Sequence, residues 1–300
     1  MKKFSKYVAA LTLTTAVTVS APLGTYSSTA HAESTATQTK PAPKQQNQET
    51  VGSENTMAVS WYQNSAEAKA LYLQGYNSAK TQLDKELKKQ KHKGKDKKKL
   101  AIALDLDETV LDNSPYQGYA TLYNKSHPEG WHEWVESAQA KPVYGAKEFL
   151  QYADKKGVDI YYITDRDYPQ DFKGTQQNLK NQGIPQATKE HLMLKSKNDK
   201  SKEPRREKVK KNHNLIMLFG DNLLDFDDPK SPSQADREKL VQQHKDDFGK
   251  KYIILPNPMY GSWESAVYGN KNDISDEQKQ QLRKESIHYF DPKSKKVKQQ

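Results

Sequence analysis

The stretch Lys99–Tyr116, K-L-A-I-A-L-D-L-D-E-T-V-L-D-N-S-P-Y, restricts what this chain can fold into more than any other. Leu100, Ala101, Ile102, Ala103 and Leu104 form an unbroken apolar run, the pattern of a strand buried on both faces. Two aspartates, Asp105 and Asp107, stand where that run ends. Residues i and i+2 of a strand share a side, so both carboxylates leave the strand tip together. Adjacent carboxylates repel, and burying them without a partner is costly. A hard, oxygen-seeking cation such as Mg²⁺ relieves both problems. The plain alternative is an acidic turn after a strand, where Asp is common.

The N-terminus carries an address. Met1–Ala32 joins a basic start (Lys2, Lys3, Lys6), an apolar stretch Val8–Val19 and the small-x-small end Ala30-His31-Ala32. That is the pattern of a secretory signal peptide cleaved after Ala32. Its apolar run is too short and too Thr-rich to span a membrane. The chain has no cysteine, which excludes a lipid anchor on Cys, disulfides, thiolate metal sites and a cysteine nucleophile. The expected product is secreted and has no membrane anchor. Without residues 1–32, which hold three lysines and no acid, the formal charge of +10 becomes +7. Acids are interspersed throughout, so this excess reads as a solvated surface that attracts anions, with no specific nucleic-acid partner.

Residues 33–56 are Thr, Gln, Pro, Ser and Lys with almost nothing apolar, a composition that predicts a disordered linker. Order is expected from about Met57, with one domain over 57–300. Its N-terminal part, about 57–98, is helical. Trp61, Ala66, Ala68, Leu71, Tyr72, Tyr76, Ala79, Leu83 and Leu87 recur there at helical spacing. Lys88–Lys99 reads as a solvated lysine loop. The α/β core covers about 99–290. Tyr144–Lys156 is a helix stopped by Gly157, and Gln170–Gln182 is one stopped by Gly183 and Pro185. Val158–Thr164, Leu215–Phe219 and Tyr252–Leu255 are further strands. Strands separated by helices mean a parallel sheet with crossovers, whose ligand sits at the carboxyl ends of the strands.

Three strand ends then supply one set of groups. Asp105 and Asp107 follow the first, Thr164 ends the second, and Asp221 with Asp225 (G-D-N-L-L-D-F) follows the third. Between the last two lies the basic segment Lys195–Lys211. A cation, a carboxylate nucleophile, a hydroxyl and a lysine together fit phosphoryl transfer through an aspartyl-phosphate.

D-L-D-E-T, a Thr after a strand, a lysine and then G-D-x-x-x-D resemble the haloacid dehalogenase superfamily of phosphohydrolases. D-L-D-E-T-V-L-D-N-S-P-Y paired with G-D-N-L-L-D-F resembles more narrowly the class C non-specific acid phosphatases. W-x-x-W-V around Trp131 and P-N-P-M-Y-G-S-W-E (Pro256–Glu264) are also typical of them, so that the likeness runs from about Met57 to Tyr268. The resemblance implies a Rossmann-like parallel sheet flanked by helices, with a small, mainly helical cap or N-terminal extension. It implies Mg²⁺ as cofactor, phosphate monoesters as substrates and an acid pH optimum, and family members are often dimeric. It implies Asp105 as nucleophile and metal ligand, and Asp107 as general acid and then base, with its backbone carbonyl on the metal. Asp221 is then the second carboxylate ligand, and Asp225 holds ligands or waters in place, a helix cap being the alternative for it. Thr164 binds a phosphoryl oxygen, a lysine neutralises charge there, and Thr109 stabilises the loop. The family's spacing, a lysine three residues before an arginine, implies Lys202 ahead of Arg205, with Lys200 and then Lys195 as competitors.

Trp131 and Tyr260 lie outside strands, and in the family the matching residues stack on a nucleobase, which tolerates different bases. That makes nucleoside 5′-monophosphates good substrates. Trp134 is expected to pack inward, and Trp263 has no assignment. His127, His132, His191 and His213 lack metal-ligand spacing and read as surface or packing residues. Ala103 stands where the family prefers Ile or Val, and Asp165 where an Asn is common. The rival readings are a narrow sugar- or cofactor-phosphate phosphatase of the same superfamily and a non-catalytic basic surface-binding protein on this scaffold.

Overall fold

A computed structural model of the chain describes residues 50–91, 97–271 and 273–300, all within the unit Gln48–Gln300. The signal-peptide reading of residues 1–32 lies outside these residues, as does the linker reading up to residue 49. Among the described residues nine strands form in chain order: β1 (Leu100–Leu104), β2 (Leu111–Asp112), β3 (Lys141–Pro142), β4 (Asp159–Asp167), β5 (Leu192–Lys195), β6 (Asn214–Gly220), β7 (Tyr252–Ile254), β8 (His288–Asp291) and β9 (Lys296–Gln299). The helices of the N-terminal half are α1 (Val51–Glu54), α2 (Thr56–Asn64), α3 (Ala66–Lys91), α4 (Ser114–Leu122), α5 (Trp131–Ser137) and α6 (Ala146–Lys155). Those of the other half are α7 (Phe172–Asn181), α8 (Glu203–Asn212), α9 (Gln234–Gln243), α10 (Ser262–Val267) and α11 (Asp276–Glu285).

The expected parallel sheet is present, with strand order β5-β4-β1-β6-β7 and every pairing parallel. The chain leaves β1 for β4 and β5 on one side and then crosses to β6 and β7 on the other. A reversal of this kind opens a crevice at the carboxyl ends of the strands beside β1. Register fixes what meets there. Leu104 is level with Tyr162 on one side and Phe219 on the other, so Asp105 emerges beside the ends of β4 and β6.

All five residues of β1 are buried, and alternation divides them between two cores. Leu100, Ile102 and Leu104 join the larger one with α3 and α6, whereas Ala101 and Ala103 face Tyr161, Leu218, Phe226 and Tyr252. Aromatic rings fill the second side, which is the physical reason that a small Ala103 suffices where a branched residue is usual. Helix α3 buries Ala68, Tyr72, Tyr76, Ala79 and Leu83, spaced by three or four, so it lies along the sheet on one face. Tyr62 of α2 is buried as well, while Leu71, expected inside, is exposed.

Several boundaries differ from the sequence reading. Helix begins at Val51, inside the stretch read as linker, because a capping box between Thr50 and Ser53 closes the turn and Gly52 N–H donates to Asn124. Lys88–Lys91 continue α3 instead of opening a loop. Strand β5 was hidden by its length: only Leu192 and Leu194 point inward before the basic segment starts. The hairpin β8–β9 follows α11 at the C-terminus. No described helix is long and apolar enough to cross a membrane.

Helix α7 supports α5, the helix carrying Trp131, through Gly174. A Cβ at Gly174 would sit 2.5 Å from the carbonyl oxygen of Val135. Alanine usually helps a helix, but backbone cannot step aside as a flexible side chain can. Gly174→Ala is therefore expected to destabilise the fold by about 1–3 kcal/mol. Urea denaturation checks this as a lowered midpoint with an unchanged slope.

Candidate active site

The turn after β1 is fastened from three directions. Asp105 N–H donates to Phe219 O at 3.0 Å, which ties the motif to β6. Leu106 O accepts from Val110 and Leu111, both at 2.8 Å, and Glu108 N–H donates to Leu111 O at 2.8 Å. Two tyrosines of α3 reach the same turn: the Tyr72 hydroxyl donates to Glu108 O and the Tyr76 hydroxyl to Thr109 O, each at 2.5 Å. Glu108 itself, fully buried at φ +53°, receives the Asn113 N–H at 2.7 Å on one oxygen and the Tyr260 hydroxyl on the other.

Asp107 is aimed by its partners. Its Oδ1 accepts from Arg166 Nε at 2.9 Å, Arg166 Nη2 at 2.7 Å and Asn113 Nδ2 at 2.8 Å. All three donors fall on one oxygen, which leaves Oδ2 for a proton in transit. Arg166 is in turn fixed by Thr175 Oγ1 at 3.1 Å and Asn113 Oδ1 at 3.3 Å. Sequence reasoning missed Arg166 and Asn113. Strand alternation was the available signal for Arg166, which lies two residues beyond Thr164 on β4.

Oxygens of Asp105, Asp221 and Asp225 gather within 4.8 Å of one another. Lys202 at the start of α8 answers this charge, with Nζ 2.7 Å from Asp105 Oδ1 and 2.6 Å from Asp225 Oδ1. Lys200 is exposed and Lys195 lines the cavity wall; of the three candidate lysines only Lys202 forms ion pairs with these aspartates. Asp225 is spent on both sides, because its Oδ2 accepts the Asn222 N–H at 3.0 Å. Asp221 receives Asn257 Nδ2 at 2.8 Å. Burial pushes the Asp105 and Asp225 carboxyls up, against the pull of Lys202. Burial and the neighbouring Asp225 raise Asp221 to about 7. Burial depresses the Lys202 ammonium, but Asp105 and Asp225 outweigh it and hold it above its ordinary range. Three carboxylates sharing one ammonium form a donor set short of positive charge, which a divalent cation with oxygen preference fits. The Asp107 side chain stands outside this trio, turned to Arg166.

Thr164 is fully buried; its Oγ1 accepts the Arg166 N–H at 3.2 Å, and its neighbours Asp165 and Arg166 line the cavity. The spacing that picked out Lys202 has a structural meaning. Arg205, one helical turn on, donates to Thr164 O at 2.6 Å and to Asp165 at 2.8 Å, so it locks α8 to the end of β4.

Trp131 and Tyr260 line the same cavity of about 650 Å³ as Asp105, Asp107, Lys202 and Asp221. The Trp131 ring meets Tyr116 edge-on at 5.0 Å, with the Arg166 guanidinium 5.4 Å from its centre. Trp134 turns inward and donates to Asn113 Oδ1 at 2.8 Å. Trp263 donates to Tyr260 O at 3.2 Å and so steadies that residue's backbone. His127 lines the cavity, although it reads as a surface or packing residue in the sequence. His132 and His213 pair with Asp171 and Asp159.

Burial, then Asp107, holds the Glu108 carboxyl well above its ordinary 4.5. The folded chain keeps this proton where the unfolded chain has lost it, so Glu108 makes stability fall as pH rises above about 4.5. Glu108→Gln preserves the shape and removes the titration. Its stability is expected to gain on wild type as pH rises from about 5 to 8, by at most about 1.4 kcal/mol per pH unit. Urea midpoints across that range give the check, and a constant difference would contradict it.

Residues 20–263 match the family described as HAD superfamily, subfamily IIIB (acid phosphatase), HAD being the haloacid dehalogenase group. The class C acid phosphatase from Bacillus anthracis is 45% identical in sequence, with a TM-score of 0.76 over 80% of this chain and 99% of that one. The same enzyme with tungstate bound matches at the same identity, coverage and TM-score. With the parallel sheet, the paired aspartates at its switch point and these likenesses in place, the chain belongs to the acid phosphatases of HAD subfamily IIIB.

Proposed function

We propose that this phosphatase is exported after removal of Met1–Ala32 and hydrolyses phosphate monoesters, nucleoside 5′-monophosphates among them, through a phosphoryl group carried on Asp105. The supporting observation is the division of labour between two acids two residues apart. Asp105 faces Lys202 and the other carboxylates, whereas Asp107 is clamped on one oxygen by Arg166 and Asn113. An Asp105 oxygen attacks phosphorus while the ester oxygen leaves with a proton from Asp107. Asp107 then takes a proton from the water that attacks the phosphorus of phospho-Asp105, which releases phosphate and regenerates both acids. Lys202 offsets the charge on the transferring group, and the Arg166 clamp keeps Asp107 in reach throughout. Asp105, Asp221 and the backbone carbonyl of Asp107 would hold Mg²⁺, which would supply the remaining positive charge at the phosphoryl oxygens. Thr164 of β4 binds a phosphoryl oxygen, and Asp225 holds the ligands in place through Lys202.

Trp131 and Tyr260 on the walls of the same cavity favour the nucleotide-tolerant reading over a narrow sugar-phosphate one, since stacking accepts any base. Tungstate, bound by the Bacillus anthracis relative, is a tetrahedral oxyanion of the shape this site would hold.

Phosphate release from p-nitrophenyl phosphate and from a nucleoside 5′-monophosphate tests the proposal. Turnover is expected with Mg²⁺, loss with EDTA and recovery on adding Mg²⁺ back. Asp105→Asn should lower kcat by about a thousandfold or more. Turnover indifferent to EDTA, or an active Asp105→Asn variant, would count against this mechanism.

A further inference from the structure

The cavity continues outward from the strand tips into a lobe that the phosphoryl chemistry does not use. Its walls come from α1, α4 and the chain after α10. Arg283 of α11 fastens α1 to α10 and the residue after it: its guanidinium donates to Glu54 at 2.7 Å, to Glu264 at 2.6 Å and to the Tyr268 hydroxyl at 2.6 Å. Two carboxylates on one guanidinium leave Arg283 no charge to offer a ligand, and Glu264, the one of the two that lines the cavity, is engaged by it.

What the lobe offers is different. Thr121 lines it from α4, only 8% exposed, and its buried hydroxyl has no hydrogen-bond partner. A buried hydroxyl gives up its bonds to water, so an orphan of this kind needs a polar atom from elsewhere. Lys279 of α11 keeps 27% of its side chain exposed, and its partner Asp276 lies at 3.4 Å within the same helix turn. An exposed pair at that separation is weak enough for an incoming anion to displace. Lys271 lines the lobe with no acidic partner among the described residues. Two ammonium groups thus line the cavity that also holds Asp105 and Lys202, with the unpaired Thr121 hydroxyl buried in the same wall.

We propose that the outer lobe is an anion subsite, and that the preferred substrates are phosphate monoesters bearing a second phosphate or carboxylate away from the scissile bond. This rests on the phosphatase reading above and deepens it. The scissile phosphate lies at the strand tips, the body of the ligand passes Trp131 and Tyr260, and the second anion meets Lys271 and Lys279. A nucleoside 3′,5′-bisphosphate is a ligand of this form.

Initial phosphate release from adenosine 5′-monophosphate and adenosine 3′,5′-bisphosphate, with p-nitrophenyl phosphate alongside, provides the test. In wild type, kcat/KM should favour the bisphosphate by about tenfold or more, the gain lying in KM. That ratio should fall to near one in Lys271→Ala/Lys279→Ala, return in Lys271→Arg/Lys279→Arg, and shrink as salt is raised. Equal kcat/KM for the two nucleotides in wild type, or a preference that survives the double alanine change, overturns the subsite and leaves the phosphatase reading standing. Wild type inert on all three substrates with Mg²⁺ overturns both.

Discussion

A single ammonium stands among three carboxylates at the strand tips and pairs with two of them, and the surrounding architecture is arranged to make that possible. Lys202 touches Asp105 and Asp225 at ion-pair distance, and Asp221 stands within reach of both. Removing one partner from a buried pair of this kind costs about 3–5 kcal/mol, because the charge left behind has no water to turn to. The three acids come from the ends of β1 and β6, and the lysine from the helix that joins β5 to β6. Only a sheet that reverses its order at β1 brings those ends together. Gly220 is part of the same constraint: a Cβ there would run into the carboxylate of Asp225. The site is therefore short of positive charge by construction, and Asp221, pushed up to about 7, registers that shortage.

Around this centre the motif turn is held by hydroxyls. Tyr72 and Tyr76 of α3 bond two successive backbone carbonyls, and Tyr260 from beyond β7 closes on the Glu108 carboxyl. A long helix outside the sheet thus does structural work for Asp107, and Arg166 completes its orientation. Each of these contacts joins residues far apart in the chain. Loosening α3 would therefore disturb the turn although no residue of that helix belongs to the carboxylate cluster.

This explains what could be read from the sequence. Local pattern was enough for β1, β4, β6 and β7, because buried strands announce themselves as apolar runs. It was enough to place Asp105 and Asp221 at the ends of buried strands, with Asp107 two residues past Asp105. Lys202 needed the spacing to Arg205, whose reason is a tertiary lock on Thr164 that no composition reveals. Glu108 and Asn113 were printed in the motif, yet their work depends on Tyr260 and Arg166, which approach only in the fold. β5 and α1 were missed because each is a few residues long. Both are stabilised by neighbours, β5 by pairing with β4 and α1 by Asn124 and Arg283, and not by their own periodicity.

The same contrast separates chemistry from selection in this molecule. The floor of the cavity is built from strand tips, where backbone hydrogen bonds on both sides allow little movement and where residues of the matched region, 20–263, supply every acid of the cluster. Its mouth is built from short helices: α1 near residue 51, α4, and α11, which lies beyond that region. These pieces are joined to each other by a few side-chain bonds, Arg283 to Glu54 and Glu264 and Gly52 N–H to Asn124, and not through the sheet. Substitutions on the mouth can change which ester is held without moving the groups that transfer phosphorus. Changes at the floor have no such freedom, since Asp105 and Asp225 are balanced against the same lysine and Asp107 against one arginine.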